Sequence, residues 1–501
     1  MSEKPLHELG ALALVEGYRG RDFSPLEVAR SLLEHVTRWE PHLHALYAFE
    51  PEAVLEQARA SEARWLRGEP ITNAQGLTLD GVPVTLKENI ATRGTPVPLG
   101  SAATELVPAA EDAPPAARLR EVGALLLAKT TMPDYGMLSS GLSSFHALTR
   151  NPWALDRNPG GSSAGAAAAA AAGYGPLHLG TDIGGSVRLP AAWCGLFTLK
   201  PSLGRIPIKP PYAGRVAGPM TRSVEDAAVM MAALARPDWR DTTSLPAQDI
   251  DWLALEDGLD LRGLRIGLML DAGWGLPVDA ETRAAVQAAA RLFEQAGARV
   301  EPMPGFSTRA MIDGLDRFWR MRSWLDISAL PAERRAKVLP YIRDWVSTGA
   351  NLGAAELFHG YSQMAALREA AVAACQPFDY VLSPTAPITA FPAGWASPIN
   401  DPQRPFEHIA FTLPYNMSEQ PAASINCGYT AKDGLPIGLQ LIGQRFDDLG
   451  VLRLARAFEQ LRGPQRDWPL PPEEDTDEGA GESLVIRRGN PMANRGRSGY
   501  R

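Results

Sequence analysis

Cysteine is scarce in this chain, with three in 501 residues: Cys194, Cys375 and Cys427. They form no CxxC pair and no His/Cys cluster, which excludes a disulfide scaffold and a zinc module. Positive charge is also in deficit. The chain has 49 Lys and Arg against 57 Asp and Glu, a net charge of −8, so no broad cationic field suggests nucleic acid as a partner. Long apolar runs are missing as well. The opening MSEKPLHELG lacks the apolar core of a secretory signal, and nowhere do about eighteen apolar residues run uninterrupted, as a membrane span requires. The expectation is a soluble, cytoplasmic protein without membrane contact. With 45% hydrophobic and 21% charged residues, it has an ordinary globular composition.

What is present reads as alternating helices and strands. Residues 1–75 look helical: Ser24-Pro25 with Glu27 resembles a helix start, and Leu26, Ala29, Leu33 and Val36 follow at helical spacing. The short apolar runs Val82–Leu86, Ala124–Ala128 and Leu264–Leu270 suit buried strands. An amphipathic helix is expected from Asp279 as N-cap, through Val286, Ala290 and Phe293, to Gly297 as C-cap, with an extended piece from Arg299-Val300. This order gives an α/β fold with a mixed or parallel sheet. No Pro/Gly/Ser linker divides the chain before residue 465, so residues 1–470 are expected to form a single domain. Segments 237–260 and 306–351 would be peripheral insertions, and 471–501 a disordered tail. The run Ala166–Ala172, bounded by Gly165 and Gly173, predicts a tightly packed core helix.

Three segments attract chemical interest: GVPVTLKEN (81–89), NPGGSSAGAAAAAAAG (158–173) and GTDIGGSVRLPAAWCG (180–195). Gly161-Ser162-Ser163-Ala164-Gly165 satisfies GxSxG, the nucleophile elbow of α/β-hydrolase esterases, with Ser163 as nucleophile. An elbow should follow a hydrophobic strand, whereas Arg157-Asn158-Pro159-Gly160 reads as a loop. In Ile183-Gly184-Gly185-Ser186 two glycines precede a serine, a backbone able to aim several N–H groups at one point as an oxyanion hole requires. The alternative is a plain glycine turn capped by a serine. Lys87 follows the apolar Val84-Thr85-Leu86. Buried there, it would have its pKa lowered and could serve as a base; at the surface it would simply pair with Glu88.

Taken together, LKEN, GGSSAG, TDIGGSVRLPAAWCG and LKPSLGRIP, in this order, resemble the amidase signature family over roughly residues 6–463. The resemblance implies a large mixed β-sheet surrounded by helices and a Ser–cisSer–Lys triad. Ser186 would be the nucleophile, Ser162 the bridging serine behind a cis Gly161–Ser162 peptide, and Lys87 the base. The N–H groups of Ile183, Gly184, Gly185 and Ser186 would form the oxyanion hole. No metal or organic cofactor is implied. Tyr135, Gly136 and Met137 are candidates for the acyl pocket, with Ser163 as a further site contact. Phe318, Trp319, Met321 and Trp324 could form a hydrophobic entrance or plain core. Asp182 and Arg188 could pair beside the nucleophile, and Cys194 reads as a small buried residue.

The activity implied is amide hydrolysis of a small molecule, tilted toward hydrophobic or aryl amides, with esters or carbamates as side substrates, by a chain that could be a homodimer. The alternative within the family is the A subunit of the glutamyl/aspartyl-tRNA amidotransferase, which works with partner subunits. Such subunits read close to N-x-A-G-x-P-A-x-S near the C-terminus. Here the stretch is Asn416-Met417-Ser418-Glu419-Gln420-Pro421-Ala422-Ala423-Ser424, with Glu419 in the glycine's place.

Overall fold

In the computed structural model, which describes residues 4–256 and 259–473, the apolar runs become strands of one mixed sheet. In chain order these are β1 (Leu46–Tyr47), β2 (Pro83–Lys87), β3 (Leu125–Thr130), β4 (Leu177–Asp182), β5 (Phe197–Lys200), β6 (Val216–Thr221), β7 (Arg265–Leu268), β8 (Arg299–Pro302), β9 (Tyr380–Pro384), β10 (Ala422–Tyr429) and β11 (Pro436–Ile442). Among the described residues the eleven strands lie in the order β1-β3-β2-β4-β6-β5-β10-β11-β9-β7-β8. Strand β2 runs parallel to both β3 and β4; β4–β6, β6–β5, β5–β10 and β10–β11 are antiparallel.

Parallel pairing places the C-terminal ends of β2 and β4 at the same edge of the sheet, the edge where α/β sheets open to ligands. Lys87 ends β2, and the loop Ile183–Ser186 leaves the end of β4. Two stretches 96 to 99 residues apart in sequence are thereby brought together by the pairing of Leu86 with Leu179.

The helices surround this sheet. Helices Ala11–Gly20, Pro25–Leu43 and Pro51–Arg67 make up the N-terminal part. Ser24 accepts from Glu27 N, and Glu27 in turn accepts from Ser24 N, a reciprocal cap that satisfies two otherwise orphaned donors. Asp279 caps the helix Ala280–Gln295 by accepting from Thr282 N. The alanine run is the helix Ala164–Ala172, every residue of it buried. Its small side chains permit close approach: a Cβ added at Gly165 would lie 2.2 Å from Ala45 O and 2.4 Å from Thr131 N.

Segment 306–351 is largely helical, with helices Arg309–Ser328, Ala332–Arg335 and Pro340–Ser347. The expected tail, 471–501, lies outside the described residues from 474 onward. No helix among the described residues is long and apolar enough to cross a membrane.

Candidate active site

At that sheet edge a cavity of about 650 Å³ opens. Ser162 and Ser186 both line it. Behind them Lys87 is completely buried, and its Nζ donates to Ser162 Oγ at 2.7 Å and to Ser163 Oγ at 3.1 Å. Desolvation, reinforced by the nearby Arg215 guanidinium, holds the Lys87 amine well below the ordinary lysine value. An amine so placed sheds its proton easily and can then accept one from a serine hydroxyl. The Gly161–Ser162 peptide is cis.

The loop that carries Ser186 is shaped by one carboxylate. Asp182 Oδ1 accepts from Gly185 N at 2.8 Å, and Oδ2 accepts from Val187 N at 3.1 Å. Arg188 Nε and Nη2 donate to the same carboxylate at 3.1 and 3.0 Å, with both side chains fully buried. Burial alone would raise the Asp182 carboxyl, but Arg188, by charge and hydrogen bond, then the Asn416 amide and the charge of Lys200, outweigh it and hold the group far below the usual carboxylate range. Asn416 Nδ2 donates to Asp182 Oδ1 at 2.8 Å, and Thr412 Oγ1 donates to Gly184 O at 2.6 Å. The expected Asp182–Arg188 pair is therefore formed, inside a larger network that also draws on residues 412–416.

Gly185 departs from the expected four-donor oxyanion hole. Its N–H is occupied by Asp182, and the residue does not line the cavity, whereas Ile183, Gly184 and Ser186 do. Among the described residues those three N–H groups have no hydrogen-bond acceptor, which leaves three candidate donors. The physical reason is backbone direction. Gly185 adopts φ +132°, and a Cβ there would lie 2.6 Å from Thr412 Oγ1, so the glycine turns the chain away from the cavity.

Tyr135, Gly136 and Met137 all line the cavity, and a Cβ on Gly136 would come within 3.3 Å of Ser162 Oγ. Ser163 does not reach it. The side chain is fully buried, donating to Thr181 O at 3.1 Å and accepting from Thr181 N and Lys87 Nζ. It stands at the N-cap of the alanine helix without a side-chain capping bond, and an occluded hydroxyl of this kind makes a poor esterase nucleophile.

Of the four aromatic-segment candidates only Trp319 lines the cavity; Phe318, Met321 and Trp324 do not. Trp319 and Trp345 each pack edge-on to Phe406, with ring centroids 5.2 and 5.5 Å apart. Cys194 is buried, and burial pushes its thiol far up. Among the described residues no group of three or more His, Cys, Asp or Glu side chains could hold a metal ion.

Sequence reasoning missed Asn89, Tyr212, Arg215, Arg322, Asp326, Trp345 and Phe406, all in the cavity wall. For the long helix a signal existed. Trp319, Arg322, Ser323 and Asp326 recur at i, i+3, i+4 and i+7, one helical face, whereas the aromatic residues of this helix fall on several faces.

A family model described as Amidase matches residues 27–452; the class that this match and the fold define is the amidase-type hydrolases. The relatives agree. The chain is 33% identical to the A subunit of the glutamyl-tRNA(Gln) amidotransferase of Chloroflexus aggregans (strain MD-66 / DSM 9485), over 92% of this chain and 97% of that protein. It is 35% identical to the protein of the same name from Myxococcus xanthus (strain DK1622), over 91% and 97%. Among solved structures, it superposes on a bacterial aryl acylamidase of the amidase signature family with a TM-score of 0.83 and 31% identity, covering 91% of this chain and 97% of that one. The chain belongs to the amidase signature family.

Glu419 accounts for the odd residue in the C-terminal motif. It adopts φ +65°, the left-handed region that a glycine enters freely, and its carboxylate bridges Arg368 and Arg445 at 2.5 and 2.6 Å. The ion pairs hold a conformation that the side chain itself disfavours. Glu419→Ala would keep the steric cost and lose both pairs, so it is expected to be less stable than Glu419→Gly by about 1 kcal/mol. Thermal melts of the two variants check this; a higher melting temperature for the alanine variant would refute it.

Proposed function

We propose that this protein is an amidase that hydrolyses linear, non-peptide amides through an acyl-enzyme on Ser186. The observation that carries this reading is the fully buried Lys87 amine 2.7 Å from Ser162 Oγ, at the edge of a cavity that Ser186 also lines. In the proposed reaction neutral Lys87 Nζ accepts the Ser162 proton while Ser162 accepts that of Ser186. Ser186 Oγ attacks the amide carbonyl, and the developing oxyanion is held by the N–H groups of Ile183, Gly184 and Ser186, each worth about 3–4 kcal/mol where it is critical. The C–N bond then breaks as Ser162 returns a proton to the departing amine. Water, activated by the same relay, cleaves the Ser186 ester and releases the carboxylate. Esters and carbamates present the same carbonyl chemistry and would be side substrates.

Hydrophobic or aryl amides suit a wall that includes Met137, Leu138, Trp319, Trp345, Phe406 and Ile409; the likeness to an aryl acylamidase structure supports the same choice. The second reading, the glutaminase component of a tRNA-dependent amidotransferase working with partner subunits, is favoured by the 33–35% identity to proteins of that kind. Against it stand the aromatic wall, which suits a bulky apolar substrate better than a small polar amino acid, and Glu419 in place of the motif glycine.

Labelling the purified protein with a fluorophosphonate and mapping the adduct tests the proposal. Modification at Ser186 that disappears in Lys87→Ala supports it. Modification at Ser163 would restore the esterase-elbow reading and overturn the triad. Glutaminase activity gained only with partner subunits, without hydrolysis of aryl or alkyl amides by the chain alone, would favour the amidotransferase.

A further inference from the structure

The cavity wall holds more hydrogen-bond donors than the protein satisfies. Tyr135 Oη and Trp319 Nε1 are buried without a hydrogen-bond partner among the described residues, and both residues line the cavity. Two guanidinium groups accompany them. Arg215 makes one side-chain hydrogen bond, from Nη1 to Pro210 O at 3.0 Å. Arg322 lies over the Tyr212 ring, 4.2 Å from its centroid. Among the described residues neither guanidinium has a carboxylate in ion-pair range. Desolvation, and then the like charge of Arg322, lowers Arg215 to about 10, so it remains cationic at neutral pH while facing another cation.

The other charges of the wall do not cancel this pair. Lys209 is matched by Glu111, and Asp182 by Arg188. Asp241, which lies near Arg215, spends its carboxylate on Ile208 N, Thr243 N and Thr243 Oγ1. Among the described residues Asp326 is left as the one unmatched acidic side chain of a wall that also holds these two cations. Guanidinium and indole groups donate only, and guanidinium forks match a planar carboxylate through paired N–H···O bonds. On the same wall Trp319, Trp345 and Phe406 offer an apolar surface.

We propose that the amide substrate carries a carboxylate, separated from the scissile carbonyl by an apolar or aryl spacer and bound by Arg215 and Arg322. This deepens the amidase reading and rests on it for the word substrate, while the binding site itself stands on the cavity wall alone. It also revises the tilt toward purely hydrophobic amides, which rested on the aromatic side chains of the segment that carries Arg322.

The test is equilibrium binding to the Ser186→Ala protein, which removes turnover from the measurement. Two matched pairs of ligands place the carboxylate on either side of the amide: glutaranilate against valeranilide, and 4-acetamidobenzoate against 4-methylacetanilide. In at least one pair the carboxylate is expected to bind at least about tenfold more tightly. Arg322→Gln should abolish most of that preference while leaving the neutral ligand's affinity within about threefold, and Arg322→Lys should recover part of it, since a point charge replaces the fork. Equal or tighter binding of the neutral ligand in both pairs overturns the proposal. So does a carboxylate preference that survives Arg322→Gln combined with Arg215→Gln. Turnover of the same four amides by the unsubstituted enzyme is measured separately. Absence of hydrolysis together with absence of Ser186 labelling would remove the amidase reading, and the binding comparison would still decide the carboxylate site.

Discussion

Lys87→Met is expected to yield a folded protein whose amide hydrolysis is slower by roughly 100- to 10,000-fold, the usual contribution of a positioned general base. Methionine fills nearly the same volume and is at home in an apolar site, so the loss should fall on kcat with the fold intact. In the proposed mechanism the active form has neutral Lys87, so activity should rise with pH as the amine loses its proton, and the lowered pKa places that rise well below 10.5. A flat profile from about pH 5 to 10 would remove lysine from the role of base.

Stability follows pH in the same direction. Because the folded-state pKa lies below the unfolded value, the unfolded chain binds the extra proton between the two. The folded enzyme therefore loses stability as pH falls from about 10.5 toward the folded pKa, and regains it as pH rises. Lys87→Met removes this term, so its melting temperature should exceed that of the unsubstituted protein at neutral pH, by a margin that vanishes above about pH 10.5. A destabilised Lys87→Met protein at neutral pH would mean that the buried amine contributes to the fold.

Arg188→Met is expected to cost about 3–5 kcal/mol of stability, the scale of stranding a buried partner charge. Asp182 would lose both of its guanidinium bonds. The arginine also donates to Thr412 O and Gln440 Oε1, both at 2.8 Å, so three chain segments would lose their common donor. Activity should fall more than stability alone explains, because Asp182 orders the loop through Gly185 N and Val187 N. Denaturant melts and kinetics on the folded fraction check this. The double variant Asp182→Asn/Arg188→Met, which leaves no stranded charge, should recover part of the stability and little of the activity. Recovery of both would reduce the pair to a structural role.

Much of the site was legible because its chemistry is written in short contiguous segments. GGSSAG and TDIGGSVRL carry the loop that must approach a substrate closely, and LKEN carries a lysine at the end of an apolar strand. Gly185 in the same segment donates to Asp182 rather than into the cavity. Four consecutive N–H groups look equivalent in a sequence, and only the position of Asp182, three residues back, shows that one of them is taken. Ser163 shows the same limit: its neighbour in the sequence faces the cavity, whereas its own hydroxyl contacts the site through Lys87 and is held by Thr181. Asn416 belongs to a motif noticed for its odd glutamate, and nothing in that stretch reveals that its amide grips Asp182 more than two hundred residues earlier.

By itself the sequence determined the alternation of strands and helices, the family, and the candidate lysine and two serines. Those features depend on local periodicity and on contiguous motifs, which survive being read one residue at a time. Only the tertiary structure decided which N–H groups remain free, what covers Ser163, and that Arg215, Tyr212 and Arg322 share one wall with Trp319. These depend on side-chain direction and on contacts between a loop at 209–215 and a helix a hundred residues further on. No local propensity encodes such a meeting; it is produced by packing around a sheet that pairs strands far apart in the chain.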